Sequence, residues 1–437
     1  MWNSDIVWDD DFKQAWDDLN DCSIPCLFIT GGAGCGKSTM LRLFLKHLRL
    51  GKVVCAASTG VAALNVGGHT VHSLFRLPST LCLPHFAPKN CSDRHYDQIR
   101  RAEFLVLDEV SMIRADVLDL ASEVCKRARG SSLPFGGLKV RLFGDCFQLP
   151  PILRDEDKNE WHANFSYESP YFFDASVIRF ECEMKLFTLT KIYRQNDPDF
   201  VALLHRMRLG EPTDKDLEIV NSRLLVPQEE TVVLCPTNRQ ADNINSGMLA
   251  QIDAPEYAFT ATTEGSFPPS FYPVPEKITL KAGARVMLRK NDAPDEDGYR
   301  LFVNGDVGRI TRIGKHEEDD FRRVWIWVEL DRMKGKEIRI SYLTWERYEV
   351  ENGKKKSIGK FTQVPLMLGW AHTTHKAQGL TFEKMHLSDS RMFAPHQFYV
   401  AASRVKSLEG FTLSQRVSRK SIWVDPRVVK FYQEASQ

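Results

Sequence analysis

The chain has 437 residues, 43% hydrophobic and 26% charged, and a formal net charge of +1. That length holds two to four domains, and the near-neutral balance excludes a global basic field, so any nucleic-acid binding must come from local patches. No apolar run approaches about 18 residues, which excludes a membrane span, and the acidic start MWNSDIVWDDD resembles neither a signal nor a transit peptide. Ten cysteines fall between Cys22 and Cys235. Only Cys22 and Cys26 form a close pair, a pattern that fits buried free thiols better than a zinc or redox site.

In chain order, residues 11–20, DFKQAWDDLN, read as a short helix carrying Gln14. Its amide offers the donor and acceptor that an adenine edge requires, and a solvated helix position accounts for it equally well. The apolar run at residues 26–30 predicts a buried strand. It leads into Gly31-Gly32-Ala33-Gly34-Cys35-Gly36-Lys37-Ser38, a full match to G-x-x-x-x-G-K-[ST], and residues 38–48 read as the helix that follows. Glycines such as Gly34 and Gly36 let the backbone curl so that N–H groups point at phosphate oxygens, and the helix adds its positive end, through Thr39. Lys37 is placed to reach the β- and γ-phosphates and Ser38 to ligate Mg²⁺. A nucleoside triphosphate is therefore the predicted ligand.

A second strand, residues 52–57, ends in STGVAA, followed by GGHTVHSLF. Thr59, Thr70 and His72, just beyond a strand's carboxyl end, suit contacts to a nucleic-acid backbone; helix capping by Thr59 and Thr70 is an equal alternative. Residues 78–97 are irregular and read as an insertion. The strand at 104–107 delivers Asp108 and Glu109, which fit a metal-holding carboxylate and a group that orients or deprotonates the attacking water. A helix from Asp116 to about Ala128 precedes the strand at 139–143, which runs into GDCFQLPP, where Gln148 is a candidate γ-phosphate sensor.

A second core begins after LTKIYRQ, and its strand at 231–235 ends at Pro236-Thr237-Asn238-Arg239. Between about 260 and 360, glycine and proline punctuate short strands, and Asn304-Gly305 signals a tight turn. This reads as a small β-barrel-like module inserted in the second core. The run Gly353-Lys354-Lys355-Lys356 is a basic hairpin tip, equally a phosphate contact or a solvated turn. The chain returns with GWAHTTHKAQGLT, holding His372, Thr373, His375, Gln378 and Gly379, and with FYVAASR, ending at Arg404. Arg194 and Arg404 have the profile of residues that cross a cleft to a phosphate, although most arginines are surface solubilisers.

Together, GGAGCGKST, STGVAALNVGGHTVHSL, LVLDEVSMI, PFGGLKVRLFGDCFQLPP, LTKIYRQ, LCPTN, GWAHTTHKAQGLTF and FYVAASR resemble superfamily-one helicases, and among them the Pif (petite integration frequency) family of 5′→3′ DNA helicases, over nearly the whole chain. The resemblance implies an α/β fold of two RecA-like parallel-sheet domains with a small SH3-like β-barrel inserted in the second. The expected boundaries are 1–190 for the first domain, with a wedge-like insertion at 78–97; 191–259 and 364–437 for the second; and 260–363 for the inserted module. It implies ATP and Mg²⁺ as ligands, Gln14 as adenine reader, Lys37 and Ser38 on phosphate and metal, and Asp108 and Glu109 as metal ligand and catalytic carboxylate. Gln148 becomes the γ-phosphate sensor, Arg194 and Arg404 arginine fingers from the second core, and Gln378 with Gly379 nucleotide contacts. Thr59, Thr70, His72, Thr237, Asn238, His372, Thr373 and His375 match positions lining a single-strand path. Cys35 stands where threonine is usual, His396 where glycine is usual, and Ala402 where leucine is common.

The resulting expectation is ATP-driven 5′→3′ travel on single-stranded DNA with unwinding of forked or structured DNA, including G-quadruplexes. The alternatives are the ATPase subunit of a helicase-nuclease and a strand-binding module with a silent ATPase. A compact bacterial or phage-like form is expected, cytoplasmic and nucleoid-associated, with no membrane partner, working as a monomer or as a dimer on DNA.

Overall fold

The computed structural model describes residues 8–48, 51–78, 80–83, 91, 94–228, 230–292, 301–315, 324–351, 354–389, 391–392 and 394–435. They divide into two compact units. The first comprises residues 1–194, 348–357 and 424–437; the second comprises 195–347 and 358–423. Among the described residues no helix is long and apolar enough to cross a membrane.

The first unit is built on a parallel sheet of six strands: β1 (Cys26–Gly31), β2 (Val53–Ala57), β3 (His69–Thr70), β4 (Phe104–Asp108), β5 (Lys139–Phe143) and β6 (Met184–Leu189). Their spatial order is β3-β2-β4-β5-β1-β6. Helices cover its faces, so central strands read as unbroken apolar runs rather than as alternating ones; all six residues of β1 are buried. The order leaves the carboxyl ends of β1, β4 and β5 close along one sheet edge, where an open α/β sheet builds its binding crevice. On one face, Phe12, Ala15 and Leu19 of the first helix, α1 (Asp10–Asn20), join Met40, Leu41 and Phe44 of α2 (Lys37–His47) and Leu27, Ile29, Phe104 and Val106 of the strands.

One charged residue breaks the apolar pattern. Arg141, central in β5, has no solvent exposure. Its guanidinium donates to the carbonyls of Leu19 (2.9 Å), Asp21 (2.7 Å), Ile24 (3.0 Å) and Val140 (3.0 Å) and lies 5.2 Å from the Phe104 ring. Burial lowers its pKa, yet the carbonyls at the negative end of α1 compensate the charge. Arg141 thereby ties α1 to the sheet.

The C-terminal segment departs from the expected boundary at 364–437. Residues 424–437 belong to the first unit. Helix Pro426–Glu434 is capped by Asp425, whose carboxylate accepts from the Arg427 N–H at 2.9 Å. Arg427 forks onto the buried Asp174, and Phe431 stacks on Phe173 with centroids 4.1 Å apart. A buried carboxylate needs a partner, and this one is supplied from the far end of the chain.

The second unit holds a four-stranded parallel sheet in the order Ala371–Thr373, Val232–Cys235, Met385–Leu387, Phe411–Leu413. Between its strands in sequence lies an antiparallel module. Five strands run in the order Glu337–Ile340, Val324–Leu330, Val307–Lys315, Arg285–Leu288, Leu366–Leu368, beside a three-stranded and a two-stranded sheet. Inward positions such as Val286, Ile310, Ile326, Val328 and Ile338 form one core with Phe259 and Leu280 of the two-stranded sheet.

All ten cysteines are free, and Cys22 alone among them is exposed. Much of the wedge-like insertion lies outside the described residues, as does Gly353 of the basic hairpin. The insertion's described parts are anchored: the Cys82 N–H donates to Asp116 at 2.7 Å, and Tyr96 is buried.

Candidate functional site

The phosphate loop leaves β1 through Gly31, and Gly36 caps α2 with φ +90°. Lys37 turns its ammonium back over the loop, donating to the carbonyls of Gly31 (2.6 Å) and Gly32 (3.0 Å), with the Cys35 sulfur at 3.5 Å. These contacts hold the curl of the loop, with the Cys35 N–H donating to the Gly32 carbonyl at 3.4 Å. The Cys35 side chain is buried in the core shared by α1, α2 and the sheet. Ser38 is exposed and Thr39 partly so, in the first turn of α2.

Arg194 is placed differently from the sequence reading. It is the last residue of the first unit rather than part of the second core, and it lies against the phosphate loop. The Tyr193 N–H donates to the Gly34 carbonyl at 2.9 Å. A Cβ on Gly34 would sit 2.5 Å from the Arg194 Cβ. Gly34 also has φ +84°, so glycine is required twice, by the backbone conformation and by the closeness of Arg194. Gly34→Ala is therefore expected to weaken ADP binding roughly tenfold or more by displacing the loop and Arg194 together; calorimetric titration measures it, and unchanged affinity would show that the contact is not needed.

At the end of β4, Asp108 and Glu109 stand where the sequence places them. Glu109 has φ +50°, a left-handed conformation costly for a side-chain-bearing residue and concentrated at functional sites. Its N–H donates to Asp108 Oδ1 at 2.9 Å. Burial and the Glu109 charge raise the Asp108 pKa, while Lys37 pulls it back down. A buried carboxylate with a second acid beside it is a site short of positive charge. Two hard oxygen donors, Asp108 and the Ser38 hydroxyl, suit Mg²⁺, which takes one or two protein ligands and completes its shell with phosphates and water.

The turn after β5 lies beside this pair: a Cβ on Gly144 would come within 3.2 Å of the Val110 and Ser111 nitrogens. Gln148 is buried there, its side-chain amide donating to Asp145 Oδ2 at 3.2 Å. Phe12 of α1 lies near Gly36, so α1 borders the loop. Gln14 is exposed on it and donates to Asp18 at 3.1 Å.

The candidate strand contacts separate into groups. Thr59, Thr70 and Thr237 are helix N-caps whose hydroxyl oxygens accept from the N–H groups of Ala62 (3.2 Å), Ser73 (3.2 Å) and Gln240 (3.3 Å). A capping hydroxyl accepts with its oxygen and keeps its proton for donation, so capping does not exclude a contact to a strand. Asn238 is exposed in the first turn of its helix. Burial and the Arg114 charge lower the His72 pKa. His372 is 2% exposed, and its Nε2 has no hydrogen-bond partner among the described residues. Burial, with Arg289 and Lys376 near, pushes its pKa down to about 3. Thr373 is 4% exposed and accepts from the Lys376 N–H. Both residues have little solvent exposure, because the short strand Ala371–Thr373 is buried throughout. His375 is half-buried, and burial lowers its pKa.

In the second unit, Arg404 is 1% exposed, its guanidinium donating to the Val400 carbonyl (2.8 Å) and the Ser403 hydroxyl (2.7 Å). Gln195, unnoticed in the sequence, braces this turn through the carbonyls of Ser403 (3.3 Å) and Val405 (2.7 Å). His396 takes φ +65° as the cap of helix Gln397–Ala402. Gln378 is half-buried, and Gly379, with φ +78°, lines a cavity of about 530 Å³ within this unit. Tyr193 and Asp145 were also missed as site residues, although both stand in motifs quoted above, LTKIYRQ and GDCFQLPP.

A model of the PIF1-like helicase family matches residues 10–218. The ATP-dependent DNA helicase Pif1 of Bdellovibrio bacteriovorus is 32% identical over 417 residues, covering 93% of this chain and 88% of that protein. The crystal structure of Bacteroides sp Pif1 in complex with ADP-AlF4 aligns with a TM-score of 0.86 at 30% identity, over 99% of this chain and 98% of that one. Bacteroides Pif1 in complex with ADP-AlF3 and ssDNA aligns with a TM-score of 0.70 at 30% identity, over the same shares. The chain spans 60% of the length of its fungal and human relatives.

Proposed function

Because the chain belongs to the PIF1-like helicase family, as its 32% identity over 88% of the Bdellovibrio helicase makes plain, we propose that it is an ATP-dependent DNA helicase. It travels 5′→3′ on single-stranded DNA and separates forked duplexes, with G-quadruplexes among its substrates. The observation that carries this reading is the joining of the phosphate loop, the Asp108–Glu109 pair and the Gln148 turn along one edge of the first sheet.

In this reading Lys37 exchanges loop carbonyls for the β- and γ-phosphate oxygens. Asp108 and Ser38 hold Mg²⁺, which when bound offsets charge on the phosphates. Glu109 orients the attacking water and takes its proton, and Gln148 donates to the γ-phosphate. Arg194, beside Gly34, and Arg404, from the second unit, supply positive charge that matters most in the loose, charge-spread transition state. Threonine hydroxyls at helix starts, with Asn238 and His72, hold the strand by its backbone, so sequence preference is weak.

The test is unwinding of two duplexes that differ only in carrying a 5′ or a 3′ single-stranded tail, with ATP and Mg²⁺. Unwinding of the 5′-tailed substrate alone is expected. Preference for the 3′ tail would refute the polarity, and ATP turnover without unwinding of either would refute the helicase reading.

A further inference from the structure

The strand that opens the phosphate loop and the turn that presents Gln148 both end against the last helix of the chain. Tyr432 of Pro426–Glu434 touches each. Its hydroxyl is 2.6 Å from Thr30 Oγ1, and Thr30 has no solvent exposure. Thr30 immediately precedes Gly31, whose carbonyl receives the Lys37 ammonium. The Tyr432 ring stacks on Phe147, with centroids 4.9 Å apart and planes 23° from parallel. Phe147 immediately precedes Gln148, and its N–H is held by Asp145 Oδ1 (3.1 Å), the carboxylate whose other oxygen holds Gln148.

The helix that carries Tyr432 is itself fixed. Arg427 forks onto a carboxylate with no exposure, Asp174, and Phe431 stacks on Phe173. Tyr432 therefore cannot drift with its neighbours, and two segments joined only through the sheet meet on one immobilised side chain. Side chains that aim a catalytic group work by being locked themselves.

We infer that Tyr432 is a positioning residue of the nucleotide site: its ring fixes the turn that carries Gln148, and its hydroxyl fixes the strand end that opens the phosphate loop. This rests on the proposed ATPase reading. The two contacts act at different stages of the cycle. Gln148 works on the γ-phosphate as charge develops, so loosening its turn lowers kcat; the loop binds phosphate in the ground state, so loosening Thr30 raises KM for ATP.

The experiment measures single-strand-stimulated ATP turnover and thermal melting for the full chain, for Gln148→Ala, Tyr432→Ala, Tyr432→Phe, and for the double variant Gln148→Ala/Tyr432→Ala. Tyr432→Ala, which loses both ring and hydroxyl, is expected to lower kcat about tenfold and to raise KM about threefold. Tyr432→Phe restores kcat and raises KM about threefold, because it keeps the ring and loses the hydroxyl. The double variant is no slower than Gln148→Ala, since the ring acts through Gln148. Should Tyr432→Ala not fold, Phe147→Leu removes the same stack from the other side and must show the same fall in kcat. If Gln148→Ala is slow while Tyr432→Ala turns over at the parental rate, or if the two losses multiply in the double variant, the inference fails and the ATPase reading survives. A parental chain without strand-stimulated turnover overturns both.

Discussion

Lys37→Ala is expected to lower ATP turnover by roughly a thousandfold, equivalent to about 4 kcal/mol of transition-state stabilisation, the scale seen when one preorganised charge is removed from a phosphate or oxyanion site. Single-strand binding should persist, since the candidate strand contacts lie on other segments than the phosphate loop. The change is also informative in the absence of nucleotide. Lys37 holds the Gly31 and Gly32 carbonyls, so its loss frees a curled loop at a partly exposed position, where water can replace the bonds at little cost. Melting temperature should move by only a few degrees while activity collapses. The checks are steady-state ATP hydrolysis with saturating single strand, fluorescence anisotropy of a labelled oligonucleotide, and calorimetry. Unchanged turnover would refute the phosphate-loop assignment.

Arg404→Ala is the second large effect. An arginine acting on the transferred phosphoryl group contributes on the order of a thousandfold or more to turnover and little to ground-state affinity, so kcat should fall far more than ADP affinity. Here the structure adds a complication that the sequence hides. Arg404 is interior, and it satisfies the Val400 carbonyl and the Ser403 hydroxyl. Truncation removes both guanidinium bonds from a buried turn, although the Ser403 hydroxyl still donates to the Val400 carbonyl at 3.1 Å, a loss of roughly 1–3 kcal/mol in stability. Rates must therefore be taken well below the melting transition. Arg404→Lys separates the two roles: it keeps a positive charge near Val400 but not the planar fork, so it should recover stability more fully than rate. Equal losses in kcat and nucleotide affinity for Arg404→Ala would make Arg404 a binding residue instead.

Local sequence was a good guide wherever a physical requirement is local. The four apolar runs that became β1, β2, β4 and β5, the glycine pattern of the phosphate loop and the acidic end of β4 all read directly, because burial on both faces and backbone curvature leave marks in adjacent residues. The two edge strands, His69–Thr70 and the half-exposed Met184–Leu189, carried no such pattern. Placement between units left no such mark. Arg194 sits at a boundary in the sequence, and only the closeness of its Cβ to Gly34 assigns it to the first unit. The helix Pro426–Glu434 has an ordinary amphipathic pattern; nothing in it names Asp174 and Phe173 as its partners. His372 and Thr373 entered only as positions matching a single-strand path, and nothing in GWAHTTHKAQGLT marks the three-residue strand that buries them. The threonines at 59 and 70 were ambiguous because a hydroxyl caps a helix and donates to a phosphate with different atoms, and the cap made by Thr237 went unread.

The hydrogen bond between Thr30 and Tyr432 joins residues 402 positions apart. Some 220 residues of the second unit are strung between the body of the first and its closing helix, so the ATP-handling half cannot be completed from its own contiguous segment as it leaves the ribosome. Its early folded form carries an unclosed aromatic surface at Phe173 and Phe147 and a carboxylate, Asp174, still awaiting Arg427. Closing so long a loop is slow rather than strongly unfavourable. Completion of the nucleotide site thus waits until the helix Pro426–Glu434 has been made, and termination anywhere between residues 195 and 423 leaves this half unfinished.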